Sequence, residues 1–229
     1  MKLRGKQPQL RAMTLTEVLV VLFVVVVLVV LGAAFLPLLA PPRIQASRIG
    51  CVNCLKEIGL AYRIWSGDNL DKYPSELSVT NGGAMELAAT GNVVAVFQCM
   101  SNELSTPKIL ACPSDANHHW ATNFSVNFTA KNISYFAGLD TDPSQPQGIL
   151  SGDDNLLING QPVRPGVLNL GTNTATWSPD RHKNAGMLSF GRYYGNVLLS
   201  DGSVQGSLLQ LRFGSAPDTL FCTNRLAIP

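Results

Sequence analysis

The chain changes its hydrophobic pattern twice. From Val18 to Pro42 it runs twenty-five residues without a charged or strongly polar side chain. The nineteen residues from Val18 to Leu36 precede any proline, and as a helix they would span roughly 28 Å, about one bilayer core. After Pro42 the apolar positions become periodic: Val52, Leu55, Ile58/Gly59, Tyr62 and Trp65 recur every three to four residues, while Arg48, Lys56, Glu57 and Arg63 mostly fall off that stripe. Ser66-Gly67-Asp68-Asn69 carries the punctuation that ends a helix. From Thr14 to Ser66 this makes 53 residues, roughly 80 Å if helical throughout, with Pro37, Pro41 and Pro42 each removing a helical donor.

Beyond residue 67 the pattern becomes strands and loops with one more short helix. Gly82-Gly83-Ala84-Met85-Glu86-Leu87 reads as a loop opening a helix, and Val93 to Phe97 suits either strand or helix. Phe124 to Phe128 alternates as a strand does, and Ile133 to Ala137 is a second candidate. Residues 138–155 are turn-forming and acidic, which predicts a loop that closes on a short strand at Leu156 to Ile158. Val197-Leu198-Leu199, then Asp201-Gly202-Ser203, then Val204 to Leu209 predicts a hairpin around an Asp-Gly turn. No repeat of 20–50 residues is present. The expected fold is α+β: a long N-terminal helix, membrane-spanning in its first half, packed on a small antiparallel-sheet head. The division is a basic leader (1–12), a transmembrane helix (13–36), its amphipathic continuation (37–66) and an α+β head (67–229).

Charge sharpens this picture. Charged residues make up only 14% of the chain, against about 25% for an ordinary soluble domain. The net charge of +2 offers no basic excess for nucleic acid. Lys2, Arg4, Lys6 and Arg11 stand in the first twelve residues without an acid, so the remainder holds 13 basic against 15 acidic residues. Positive charge ahead of the span sets the N-terminus in the cytoplasm and the head outside. A cleaved signal peptide competes with this reading, with a cut near Ala34 or Ala40, although its apolar region is ordinarily only 7–15 residues long. Glu17, directly before Val18, is the one acid at the mouth of the span, where an unpartnered carboxylate is costly. If the chain were cut after Ala12, the new amino group of Met13 would lie four residues before Glu17, on the same helical face.

The basic leader, the small Ala12, and Met13-Thr14-Leu15-Thr16-Glu17 opening a long apolar helix resemble the class III signal of type IV pilins and type II secretion pseudopilins. The resemblance implies cleavage by prepilin peptidase between Ala12 and Met13 and methylation of Met13. It further implies that Glu17 guides subunit register, that the chain assembles with copies of itself or other pilin-like subunits, and that it resides in the inner membrane with its head in the periplasm. Ala12 stands where the family usually has Gly, and Met13 where it usually has Phe. A narrower resemblance rests on Cys51-Val-Asn-Cys54-Leu-Lys-Glu-Ile-Gly59, on Cys112-Pro-Ser-Asp115, on Arg181-His182-Lys183 and on Asn196 to Ser203. These segments resemble the pseudopilin-like proteins of planctomycetes and verrucomicrobia, whose hallmark is His followed nine residues later by Asp-Gly. Here His182 and the Asp201-Gly202 pair are separated by eighteen residues.

Five cysteines (51, 54, 99, 112 and 222) fall outside the membrane on this topology, where disulfides form. Cys99 and Cys112, which would close a modest loop, are the expected pair. Cys51 and Cys54 lie one helical turn apart, as a strained bridge or as two packed thiols; inside a helical pattern they lack the setting of a redox centre. His118-His119 near Cys112 lacks the spacing of a zinc site. Asp68, Asn69 and Asp71, or Asp140, Asp142, Asp153 and Asp154, offer oxygen ligands of the kind calcium takes, without EF-hand spacing. No cofactor is expected. No nucleophile elbow, zincin motif or phosphate-binding loop occurs, and His182 with Asp201 has no nucleophile beside it. The expected protein is a non-enzymatic filament subunit, with a monomeric anchored protein carrying a ligand-binding head as the alternative.

Overall fold

The computed structural model describes residues 14–39, 43–125, 127–171, 174–179, 181–182, 195–207, 211–212 and 225–229. Ala12 and Met13 lie outside them. The chain divides into two compact units, residues 1–42 and 43–229.

In the first unit, α1 (Leu15–Leu39) is one helix that continues past Pro37. Leu15–Ala33 is long and apolar enough to cross a membrane and is exposed along its whole length. A Val-rich segment has modest intrinsic helix propensity. In lipid the helix wins because it satisfies every backbone donor and acceptor within the segment. Its start is set by polar groups: the amide of Thr14 donates to Glu17 Oε2 at 2.8 Å, the Thr14 hydroxyl donates to the same oxygen at 3.0 Å, and the Glu17 amide returns a bond to Thr14 Oγ1 at 3.4 Å. This is a capping box, Thr at the cap and Glu three residues on.

The second unit opens with α2 (Arg43–Asp68). Its buried stripe is Cys51, Leu55, Ile58, Tyr62 and Trp65; Cys51 takes the place expected for Val52. The helix stops where the sequence predicts. Asn69 Nδ2 donates to the Trp65 carbonyl at 2.8 Å, and Leu70 and Asp71 adopt positive φ of 61° and 53°, which a helix cannot continue through. Three short helices follow, α3 (Met85–Ala88), α4 (Val93–Cys99) and α5 (Ser101–Leu104), where the pattern predicts one. Asn92 decides the ambiguous Val93–Phe97 run in favour of helix, because its side chain accepts from the Ala95 amide and caps the N-terminus.

The strands are β1 (Tyr135–Gly138), β2 (Ile149–Asp153), β3 (Leu156–Ile158), β4 (Gln161–Pro162), β5 (Gly166–Asn169), β6 (Thr174–Trp177), β7 (Gly195–Leu199), β8 (Val204–Ser207), β9 (Leu211–Arg212) and β10 (Arg225–Ile228). They form a six-stranded sheet in the order β5-β10-β1-β2-β7-β8 and a four-stranded sheet in the order β4-β3-β6-β9. Every described pairing is antiparallel. The α+β class and the Asp-Gly hairpin of β7 and β8 therefore hold.

The large sheet is buried on both faces, and alternation along its strands sorts the residues between two cores. Tyr135 and Ala137 of β1, Leu198 of β7 and Ala227 of β10 face α2 and the short helices. Phe136, Val197, Leu199, Leu226 and Ile228 face the opposite way and pack with Leu156, Ala175 and Trp177 of the small sheet. Close approach is arranged by glycine: a Cβ on Gly59 of α2 would stand 2.8 Å from Leu198 Cδ1.

Two expectations are corrected. Residues 138–155 are not all loop, since 149–153 form β2, an interior strand; its Ser151, Gly152 and Asp153 look like turn residues but are buried and bonded, Ser151 Oγ donating to the Phe136 carbonyl at 2.7 Å. Between Phe124 and Phe128, Phe124 and Ser125 lie in a bend and Asn127 in a turn rather than in a strand. Asn123 Oδ1 accepts from the Ser125 amide and draws the chain back, so the two phenyl rings meet edge to face with centroids 5.2 Å apart.

Candidate functional site: a buried ionic cluster beside a disulfide

Three of the segments singled out by motif converge in the head. Cys51, on the buried stripe of α2, is bonded to Cys112, with Cα atoms 5.1 Å apart. The expected Cys99–Cys112 pair is therefore wrong. Cys99 ends α4, its thiol donates to the Gly82 carbonyl at 2.8 Å, and burial pushes it up to a pKa of about 11. Cys54 is also free, its thiol raised by burial. Both are protonated, unreactive thiols at neutral pH. Cys222 lies outside the described residues.

Three residues beyond Cys112, Asp115 enters an ion cluster with side chains from distant parts of the chain. Arg181 donates through Nη2 to Asp115 Oδ2 and through Nη1 to the Ser134 carbonyl at 2.8 Å, and it pairs with Asp154. His118 Nδ1 stands 2.6 Å from the same Asp115 oxygen, and its Nε2 3.8 Å from Asp154 Oδ2. Burial disfavours the charged form of Asp115, but the bond to His118 and the Arg181 charge outweigh it and hold the carboxyl well below its ordinary range. His118 is raised in turn, chiefly by its bond to Asp115. Asp154 is raised by burial in spite of Arg181. Asp115, His118 and Asp154 bring ligand atoms close enough for a metal, yet Arg181 already supplies the cation that both carboxylates need.

His182, next in sequence, is buried at 3% exposure and serves a different partner. Its Nε2 lies 3.1 Å from Asp153 Oδ2, 3.3 Å from Asn196 Nδ2 and 3.9 Å from Cys112 Sγ. Asp153 Oδ2 also accepts from the Asn196 amide and side chain at 2.8 and 2.9 Å. Asp201 is not part of this arrangement. It occupies the exposed β7–β8 turn, where its Oδ1 accepts from the Ser203 amide at 2.8 Å and Gly202 takes φ of +83°. The two halves of the His/Asp-Gly motif thus do separate structural work.

Of the acids considered for calcium, Asp140, Asp142, Asp153 and Asp154 are divided among other partners. Asp140 holds Arg225, with Nε to Oδ1 at 2.7 Å. Asp142 accepts from Ser144 and from Gln145 Nε2 at 2.7 Å. Asp153 and Asp154 belong to the clusters described above. Above the disulfide opens a cavity of about 300 Å³ lined by Cys112, Pro113, Asp115, His118, His119 and Trp120, with Trp120 67% exposed.

No described protein family, curated protein or solved structure matches this chain.

Motif reading found Cys112, Asp115, Arg181 and His182 as signposts but missed what joins them. Cys51 was masked by its neighbour Cys54, and Asp153 and Asp154 by the turn-like composition around them. The one usable signal is that the segments holding Cys51 and Cys112 belong to the same resemblance.

Proposed function

We propose that this chain is a membrane-anchored, pilin-like subunit of a type II secretion or type IV pilus-like filament, and that prepilin peptidase processes it between Ala12 and Met13. The N-terminus lies in the cytoplasm and the head on the far side of the inner membrane. The observation that carries this reading is α1: apolar on every face through Leu15–Ala33, preceded by four basic residues, and opened by a single acid, Glu17. A helix of that composition is stable in lipid as a store and packs against copies of itself on extraction. The helix-plus-antiparallel-sheet head is compatible with a pilin-like fold. The test is the mass of the intact N-terminus from membrane fractions with and without prepilin peptidase. A methylated chain beginning at Met13 only when the peptidase is present supports the proposal. A chain starting after Ala34 or Ala40, or one left uncut, refutes it.

The second reading, a monomeric anchored protein with a ligand-binding head, is favoured by one feature, the cavity beside the exposed Trp120. An apolar ring at the mouth of a polar hollow offers a stacking platform for a ligand. A chain that inserts and stays monomeric with and without Glu17→Ala, together with ligand binding that is lost in Trp120→Ala, would favour it.

A further inference from the structure

We propose that Cys51, Cys112, His182 and Asp153 form a zinc site that the disulfide keeps closed and that reduction opens. The sulfurs of Cys51 and Cys112 and a ring nitrogen of His182 lie within 4.8 Å of one another, all three residues being buried. In a tetrahedral zinc site a thiolate sulfur and an imidazole nitrogen stand about 3.6 Å apart, and a nitrogen and a carboxylate oxygen about 3.3 Å. Cys112 Sγ and His182 Nε2 are 3.9 Å apart, and His182 Nε2 and Asp153 Oδ2 3.1 Å. The set needs only small movements once the two sulfurs part.

A second observation points to a cation. Asp153 is 0% exposed, and its Oδ1 has no hydrogen-bond partner among the described residues, as is also true of Asn196 Oδ1 beside it. A buried carboxylate with an orphan oxygen is costly, and a metal ion at His182 would satisfy it. Two thiolates, an imidazole and a carboxylate select zinc over calcium or magnesium, which take oxygen ligands. The cavity lined by Cys112, His118 and His119 opens beside the bonded Cys112, the side from which reductant and metal would approach.

The chemistry balances with a dithiol as reductant. One of its thiolates attacks a sulfur of the Cys51–Cys112 bond, and the mixed disulfide is resolved by its second thiol. The protein gains two thiols and the reductant leaves as a disulfide. Zinc then binds with release of the two thiol protons.

The test uses the full chain in detergent, with Cys54, Cys99 and Cys222 replaced by Ser, a trialkylphosphine as reductant and cobalt(II) as the probe. The phosphine takes its oxygen from water and leaves two thiols. The reduced chain is expected to bind one cobalt with the visible bands of a tetrahedral site and a sulfur-to-cobalt charge-transfer band, both bleached by zinc, and the oxidised chain to give neither. His182→Gln and Asp153→Asn, which leave both cysteines in place, are expected to weaken cobalt binding at least tenfold. A reduced chain with native circular dichroism and no thiolate–cobalt band overturns the proposal. So does a reduced chain that unfolds and is not restored by zinc, or one whose cobalt affinity is unchanged in both variants.

Discussion

Arg181 reaches Asp115 across 66 positions of sequence, and both side chains are almost entirely buried, at 4% and 2% exposure. The pair ties the segment after Cys112 to the residues that lead toward β7. Breaking a buried pair leaves an uncompensated charge, which costs about 3–5 kcal/mol. Arg181→Met should therefore lower the unfolding free energy of the detergent-solubilised chain, read from urea titrations, by about 3–5 kcal/mol. Because Asp154 also loses its partner, the double variant Arg181→Met/Asp115→Asn should recover only part of the loss. A single variant as stable as the parent would show that the cluster does not hold the head together.

The same cluster fixes a pH dependence. His118 titrates above its ordinary 6.5 in the folded chain, so its contribution is complete below about that pH and is lost as pH rises through the folded value. Asp115 titrates below its ordinary 3.8, so its contribution is present above that value and is lost as pH falls toward the folded one. Asp154, raised by burial, opposes Asp115 on the acid side. Thermal melts across pH should show His118→Gln removing the alkaline decline and weakening the acid limb, which Arg181 still sustains. Parallel profiles of parent and variant above about pH 6.5 would contradict the assignment.

Cysteine replacement separates the bonded thiols from the free ones. The Cys51–Cys112 bond closes a loop with a sequence separation of 61, for which chain entropy predicts about 4 kcal/mol. Cys112→Ser should cost an amount of that order under oxidising conditions and little under reducing ones. Cys99→Ser, which exchanges one weak donor to Gly82 for another, should cost no more than about 1 kcal/mol. Equal effects for the two variants would be inconsistent with this connectivity.

Much of this architecture was legible in the sequence, and the reasons for the failures are specific. An unbroken apolar run located α1, and periodicity located α2, because a helix buried on one stripe must place apolar side chains every three to four residues. The β7–β8 hairpin followed from Asp201-Gly202. Strand β2 was missed because an interior strand can carry Ser151 and Asp153 when other strands and side chains satisfy them. The disulfide was missed because loop length says nothing about which cysteine the buried face of α2 presents to Cys112. The ionic cluster was illegible because its members are separated by up to 66 positions and no local spacing links them.

Close packing between the sheets supplies a stability test. A Cβ on Gly195 would stand 2.1 Å from Trp177 Cδ2, in the core shared by both sheets. Overpacking of this kind costs about 1–3 kcal/mol. Gly195→Ala should lower the melting temperature and shift Trp177 fluorescence, and the smaller side chain in Gly195→Ala/Trp177→Phe should restore part of the stability. A single variant that melts with the parent would show that the sheets have room to spare.

Glu17 has two possible duties, closing the capping box with Thr14 and guiding assembly by its charge. Glu17→Gln keeps a side chain that can close the box but removes the charge. Under the proposed function it should insert into membranes normally and fail to assemble, as Glu17→Ala would. Filaments built from the Gln variant would assign the residue to capping alone.

The disulfide has a mechanical consequence. Cys51 lies in the first half of α2, and its sulfur bypasses the whole segment from 52 to 111, which contains the rest of that helix and α3, α4 and α5. A tension applied to the N-terminal end of α2 therefore passes through a covalent link directly to residue 112. While that link is intact, the bypassed segment carries no load and cannot be drawn out, however weak its own packing.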